Sequence, residues 1–356
     1  MKFEWETLAK MSTHDPRVPN HDPASRPALP DWKALKVPIL YISDFLHVPR
    51  TLLKPYILGR KVWREIHLRV LKSPEMISTI YDYKLCLPLK AKGIGHTLAA
   101  YGFRELDHRY LIHKLLKPNS IVCDIGANIG YYVAMYNKLM NNSGFIYAIE
   151  PDPRNLEYLR RNIALNGMTE RVRIDPIAIS DHDSTMSFHL ADYTNLSSLK
   201  VSNLPHRYVK SIEVQVRDFG KYLGSLPHSI DMLRMDIEGH EVQVLKSLAN
   251  RAETEKSVQW APRRIIFEGH AWEYSTSGQN SMRPVIERLF RFGYHARYLC
   301  NAMEHFSPIR SRGYTPEVVI DAGVRYYGIY ENVKNNDGVQ LISEEPAITT
   351  ICLERN

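Results

Sequence analysis

Two carboxylates, Asp124 and Glu150, each close a short apolar run, 121–123 and 145–149. Runs of this length and composition are what buried parallel strands show. Between them lies Gly126-Ala127-Asn128-Ile129-Gly130, and then Tyr132, Val133, Tyr136, Leu139 and Met140 recur at helical spacing. The order is strand, glycine loop, helix, strand, with an acid at each strand exit. Glycines let backbone approach a ligand closely, and a helix start offers N–H groups that have no partner within the helix. Glu150 is placed to accept hydrogen bonds from both hydroxyls of a ribose.

The loop is not the Gly-x-Gly-x-x-Gly of dinucleotide binders. Asp124 also puts negative charge where a pyrophosphate would have to sit. An acid there suits a ligand with a cationic amino-acid portion, and S-adenosylmethionine carries both an ammonium and a sulfonium. The pattern favours a nucleoside cation over a dinucleotide.

A second cluster of reactive groups follows the fourth and fifth apolar runs, 230–235 and 264–267. Asp236, Glu238, His240 and Glu241 come after the first, and Glu268 and His270 after the second. His240 is the best general base by intrinsic pKa. Glu238 and Glu241 are either catalytic or caps for the N–H groups of the helix that starts there. The oxygen-rich set allows Mg²⁺ or Mn²⁺ without demanding it, and no metal ligand is assigned.

These residues resemble the FkbM-type family of class I S-adenosylmethionine-dependent methyltransferases. The likeness rests on Asp124-Ile-Gly-Ala-Asn-Ile-Gly130, on Glu150-Pro151 and on Asp236-Ile-Glu-Gly-His-Glu241, and it spans 105–298. It implies that Asp124, Gly126, Asn128 and Gly130 shape the methionine pocket, that Glu150 and Pro151 hold the ribose, and that Ala178 lies by the adenine. Asp175 is a second candidate for the adenine side. Glu105 matches a family glutamate that leads the helix before the loop. Asp236, by its motif position, and His240 then face the acceptor, which the resemblance makes a hydroxyl on a sugar, glycolipid or polyketide. An Asn-Pro-Pro-Tyr element of amino-group methyltransferases is absent, which favours oxygen as the acceptor. Trp272, Tyr274, Tyr131 and Tyr132 are either walls for a sugar or aromatic packing between helix and sheet.

The elements that must position these groups alternate strand with helix. That makes the fold α/β, a doubly wound, mostly parallel, seven-stranded Rossmann-like sheet with ligands outside the carboxyl ends of its strands. Residues 172–179 read as the third strand, made irregular by Pro176. Residues 301–356 alternate strand-like runs and are expected to supply an antiparallel edge. Residues 101–300 form the core. Residues 33–100 form a basic accessory segment, with one or two helices broken near Pro49 and Pro55, a strand or hairpin near 80–89, and a turn at Gly93 and Gly95. Residues 1–32, rich in proline, read as an extended or disordered arm.

The chain has 356 residues, 44% of them apolar, enough for a full core. The net charge is +7, and nine Lys or Arg between Lys33 and Lys72 face only Asp44 and Glu65. This basic, amphipathic stretch is either a solvated helical cap or a face for anionic lipid heads, a lipid-linked glycan or RNA. Four scattered cysteines without a Cys-x-x-Cys pair suggest a reduced compartment. No signal peptide or membrane-spanning run is legible, so a cytoplasmic protein, at most peripheral to a membrane, is expected. Two rivals to methylation of a small acceptor remain: an RNA methyltransferase using the basic segment, and a non-catalytic surface or scaffold protein on the same fold.

Overall fold

The computed structural model describes residues 37–90, 93–193, 196–199, 208–302, 308–322 and 326–355. The proline-rich arm lies outside them. The chain begins with β1 (Ile39–Tyr41), α1 (Ile42–Leu46) and α2 (Arg50–Glu65), then a hairpin of β2 (Glu75–Ile80) and β3 (Tyr83–Pro88). Helices α3 (Ile94–Tyr101) and α4 (Leu106–Leu115) lead into β4 (Ile121–Ile125), α5 (Tyr131–Leu139), β5 (Phe145–Ile149), α6 (Pro153–Leu165) and β6 (Val172–Asp175). Next come β7 (Ala178–Ser180), β8 (Ser184–Ala191), β9 (Tyr208–Asp218), α7 (Phe219–Ser225), β10 (Met232–Met235), α8 (Glu241–Glu255) and β11 (Arg264–Glu268). The last part holds α9 (Met282–Arg291), β12 (Tyr294–Ala302), β13 (Val318–Asp321), β14 (Tyr326–Val333), α10 (Asn335–Glu344) and β15 (Ile348–Arg355).

The main sheet has ten strands, in the order β1-β13-β14-β12-β15-β11-β10-β4-β5-β6. Five neighbouring pairs are parallel, among them the whole run from β11 to β6. The expected count of seven is therefore too small. Strands β14, β13 and β1 extend the sheet beyond β12, and β1 pairs with β13 from far along the chain. The C-terminal strand β15 is not an edge either, because it lies between β11 and β12. Its residues Ile351, Cys352 and Leu353 are buried, as a strand paired on both sides requires.

Alternation along the strands builds a core on each face of the sheet. Val122 and Ile146 pack with Leu111, Tyr136 and Leu159 on one side. Cys123, Tyr147 and Leu233 pack with Val242, Leu245 and Leu289 on the other. Helices therefore cover both faces, and the parallel strands point their carboxyl ends at one edge. All four cysteines are buried and unbridged. Among the described residues no helix is long and apolar enough to cross a membrane.

Prolines and glycines account for three departures from the sequence reading. Pro55 lies inside α2 without breaking it. It forfeits only the bond to the carbonyl of Thr51, and the helix is held to the body by the buried Ile57 and by Arg60, which donates to Leu98 O at 2.7 Å. Gly95 is not a turn residue but part of α3, where a Cβ would come within 2.6 Å of Pro88. Pro176 does more than roughen the third strand: β6 stays in the main sheet while β7 pairs with β9 in a separate three-stranded sheet.

Candidate functional site

A cavity of about 750 Å³, part of it open to solvent, lies at the carboxyl ends of β4, β5 and β10. Its wall includes Gly126, Asn128, Glu150, Pro151, Ala178, Asp236 and His240. Seven of the nine residues singled out in the sequence are thus brought to one place.

Glu150, at the β5 exit, is held by backbone on both of its oxygens. One of its oxygens accepts the Asn128 N–H at 2.7 Å and the other the Asp152 N–H at 2.8 Å. Burial raises its pKa to about 7, against the opposing pull of those backbone bonds. Asn155 Nδ2 also approaches the oxygen held by Asp152, at 3.5 Å, so the oxygen held by Asn128 keeps one lone pair open and the other can accept a hydroxyl only in place of this long contact. Asn128 reaches this position with φ of 51°, in the left-handed region. Gly126 has φ of 83°, and a Cβ there would lie 2.4 Å from the carbonyl oxygen of Asp236. Only glycine lets the β4 and β10 loops close on each other at this point.

Asp124 and Gly130 do not line the cavity. Gly130 starts α5 with φ of 84°, and a Cβ there would strike Leu159 of α6 at 2.8 Å, so it serves helix packing. Asp124 is fully buried, and its carboxylate meets the Arg234 guanidinium at 3.4 Å. Burial raises its pKa to about 6 even with that cation beside it. One of its oxygens thus faces Arg234, while Oδ2 is buried without a hydrogen-bond partner among the described residues.

Arg234 is the group that the sequence reading missed. It sits in the middle of β10, is 2% exposed, and is in register with Asp124 of β4. Its other terminal nitrogen approaches Asp236 at 3.0 Å and Glu105 at 3.8 Å, and the guanidinium lies 4.0 Å from the Tyr132 ring centre. Glu105 also accepts the Tyr132 hydroxyl at 2.6 Å and is paired with Arg104. The signal was present: Met-Leu-Arg-Met puts one charge inside an otherwise apolar buried strand.

At the exits of β10 and β11, ligand atoms of Asp236, Glu268 and His270 lie within 4.8 Å of one another. Burial would raise Asp236, but Arg234, His270 and Arg104 outweigh it and hold the group at about 2. Glu268 is pushed well above the ordinary carboxyl range by burial and by the neighbouring Asp236. His270 is buried, which opposes its charge, yet Glu241 at 3.1 Å holds its pKa well up. The three side chains can hold a divalent cation, which the sequence allowed without assigning ligands to it, or share a proton. Glu241 accepts the Ile237 N–H at 3.1 Å, so it caps the turn before α8 and orients His270. His240, at the start of α8, has Nε2 3.0 Å from the Ser180 hydroxyl. Asp175, the other adenine candidate, is held by the Tyr222 hydroxyl at 2.6 Å and by Arg173, and it does not line the cavity. Tyr131 and Tyr132 do line it. His206 lies outside the described residues.

Residues 124–299 match the methyltransferase FkbM domain. This chain carries an FkbM methyltransferase domain. It is similar to the 2-O-methyltransferase NoeI of Sinorhizobium fredii, 25% identical over 205 residues, covering 54% of this chain and 79% of that protein. It is also similar to the methyltransferase sdnD of Sordaria araneosa, 28% identical over 225 residues and covering 54% and 80% respectively. Among solved structures, the methyltransferase FkbM of Methylobacillus flagellatus superimposes with a TM-score of 0.32 at 17% identity, over 48% of this chain and 38% of that one.

Within this FkbM domain, Arg234 carries a stability prediction. Arg234→Met leaves the fully buried Asp124 without its cation and Asp236 without its nearest one, at a cost of about 3–5 kcal/mol near pH 8. Asp124, already raised to about 6 in the native protein, rises further in the variant, so it takes a proton as the pH falls to 5 and the penalty shrinks. Denaturant midpoints at both pH values read this directly. An equal loss at the two would contradict the pairing.

Proposed function

We propose that the chain transfers a methyl group from S-adenosylmethionine to a hydroxyl of a sugar or another small acceptor. The observation that carries this is the single cavity joining Glu150, at the exit of the second parallel strand, to Asp236 and His240, at the exit of the fourth. A buried carboxylate at the β5 exit fits a ribose. The similarity to NoeI, named a 2-O-methyltransferase, supports oxygen as the acceptor. On this reading residues 101–300 hold the chemistry and 301–356 complete the sheet beneath it.

The cofactor, when bound, supplies an activated methyl whose bond to sulfur breaks, with its electron pair, as the bond to the acceptor oxygen forms. The protein's own task is positioning and proton removal. Gly126, Asn128, Glu150, Pro151 and Ala178 form the cofactor side of the cavity. Asp236, kept ionised by Arg234, orients the acceptor by accepting a hydrogen bond from a hydroxyl next to the reacting one. His240, whose Nε2 lies 3.0 Å from the Ser180 hydroxyl, takes the proton of the reacting hydroxyl as general base. An RNA acceptor fits less well, because Arg60 and Arg64 of the basic segment are turned inward to Leu98, Ser78 and His96. A scaffold role leaves unexplained why the cavity gathers so many ionisable groups.

Calorimetric titration with S-adenosylhomocysteine, with NAD as control, tests the cofactor. Micromolar binding of the first and none of the second is expected, and silence with both would overturn the reading. Glu150 binds hydroxyls best as a carboxylate, so affinity rises with pH through its pKa of about 7. Glu150→Ala weakens binding by about 1–3 kcal/mol. A flat pH profile together with an unaffected variant would remove the ribose assignment.

His240→Ala leaves that affinity intact and slows turnover by about 10²-fold or more. Unaltered turnover would hand the role to Asp236 or to positioning alone. Because Arg234 and Arg104 already place positive charge beside Asp236, chelation with EDTA leaves turnover unchanged. A loss restored by Mg²⁺ or Mn²⁺ would instead give Asp236, Glu268 and His270 a metal to hold.

A further inference from the structure

Helix α2 is apolar on the wrong side. Its inward face is accounted for: Ile57 is buried, Leu53 packs on the body, Arg60 reaches Leu98 O and Ser78, and Arg64 reaches His96. On the opposite face Leu52, Leu58, Val62 and Trp63 are each at least half exposed, at 50–53%. One π-helical turn (Ile66–Val70) continues the helix, and there Val70 and Leu71 are 71% and 56% exposed. These six make up most of the exposed large hydrophobics among the described residues. Single exposed apolar side chains are ordinary, but a stripe of them along one helix marks an interaction surface.

Charge tells what the surface meets. Arg50, Lys54, Arg69 and Lys72 are exposed along the same segment. The acids are few: Asp44 is spent on the Tyr41 N–H at 2.7 Å, and Glu65 bridges Arg64 and Arg69. An apolar stripe bordered by lysine and arginine is the pattern of a helix lying in a lipid interface, its apolar side chains among acyl chains and its cations at the headgroups. A second copy of the chain would bring the same cations face to face. RNA would leave the apolar stripe without a partner.

We infer that the outer face of α2 and the turn after it dock this protein onto an anionic phospholipid surface. The docking face is rigidly tied to the cavity. Arg60 and Arg64 staple α2 to α3, and Ile94, the first residue of α3, is part of the cavity wall. Docking therefore fixes the orientation of the cavity relative to the lipid, which would favour acceptors presented at that surface. The surface itself does not depend on methyl transfer.

The test is co-sedimentation of the full chain with vesicles of phosphatidylcholine alone and of phosphatidylcholine with phosphatidylserine. Binding is expected to the mixed vesicles, to weaken with added salt, and to be slight on the neutral ones. The double variant Leu58→Ser with Trp63→Ser lowers partitioning about tenfold or more, because two half-bare apolar groups lose their burial. Lys54→Gln lowers it about fivefold, the effect of one cation at such a surface. Both variants keep the unfolding midpoint and the S-adenosylhomocysteine affinity of the parent, since the changed side chains point away from the body. Absence of binding to anionic vesicles, or binding unchanged in the double variant, overturns the proposal. A concentration-dependent dimer that the double variant abolishes, without vesicle binding, assigns the face to a second copy and overturns it equally.

Discussion

A guanidinium buried in the central strand is the constraint around which the site is arranged. Taking the charge of Arg234 out of water is expensive, and it is tolerable only where carboxylates and a polarisable ring replace the lost solvent. Asp124 from β4, Asp236 from the β10 exit, Glu105 from the start of α4 and Tyr132 from α5 supply that environment. Three elements besides its own strand are therefore fixed against one side chain. The same contacts hold Asp236 ionised and set Asp124 against a cation of the fold, so the electrostatics of the fold and of the cavity are one arrangement.

A second constraint is the closeness of the loops. Gly126 lets β4 turn directly against the Asp236 carbonyl, and Asn128 takes a left-handed conformation so that its N–H reaches Glu150. The raised pKa of Glu150 shows what this costs, since a carboxylate is drawn into a site where water no longer solvates it fully. A ligand that brings two hydroxyls restores what burial removed. Strain and desolvation concentrated at one cavity are what a binding site requires and a purely structural loop does not.

The unit β4-loop-α5-β5 was legible in the sequence because everything that defines it is local: two apolar runs, two glycines and a helical period. The exits of β10 and β11 were legible for the same reason. What local pattern could not give was pairing at a distance. Nothing near Ile39 announces β13, and nothing in 348–355 says that it enters the sheet between β11 and β12 rather than at its border. Asp124 shows the subtler limit. An acid at a strand exit reads as a ligand contact until its neighbour in register, Arg234, is known. The helix through Pro55 shows another, because tertiary anchoring by Arg60 overrode a local breaker.

The division of roles among the acids at the far end of the cavity follows from the same physics. Asp236 and Glu268 are chemically near-equal, yet the first is drawn down by Arg234 and the second driven up by the charge of the first. Two like groups whose surroundings separate their proton affinities are a means of keeping one charged and the other protonated at a single pH. The ionised member can fix a hydroxyl without competing for its proton, and the protonated member can donate a hydrogen bond to whatever lies between them. Glu241 adds the third part by gripping His270 from behind, leaving its Nε2 turned toward Glu268 at 3.9 Å. The separation of the two acids thus depends on an arginine two residues upstream of Asp236, which also forms part of the cavity wall.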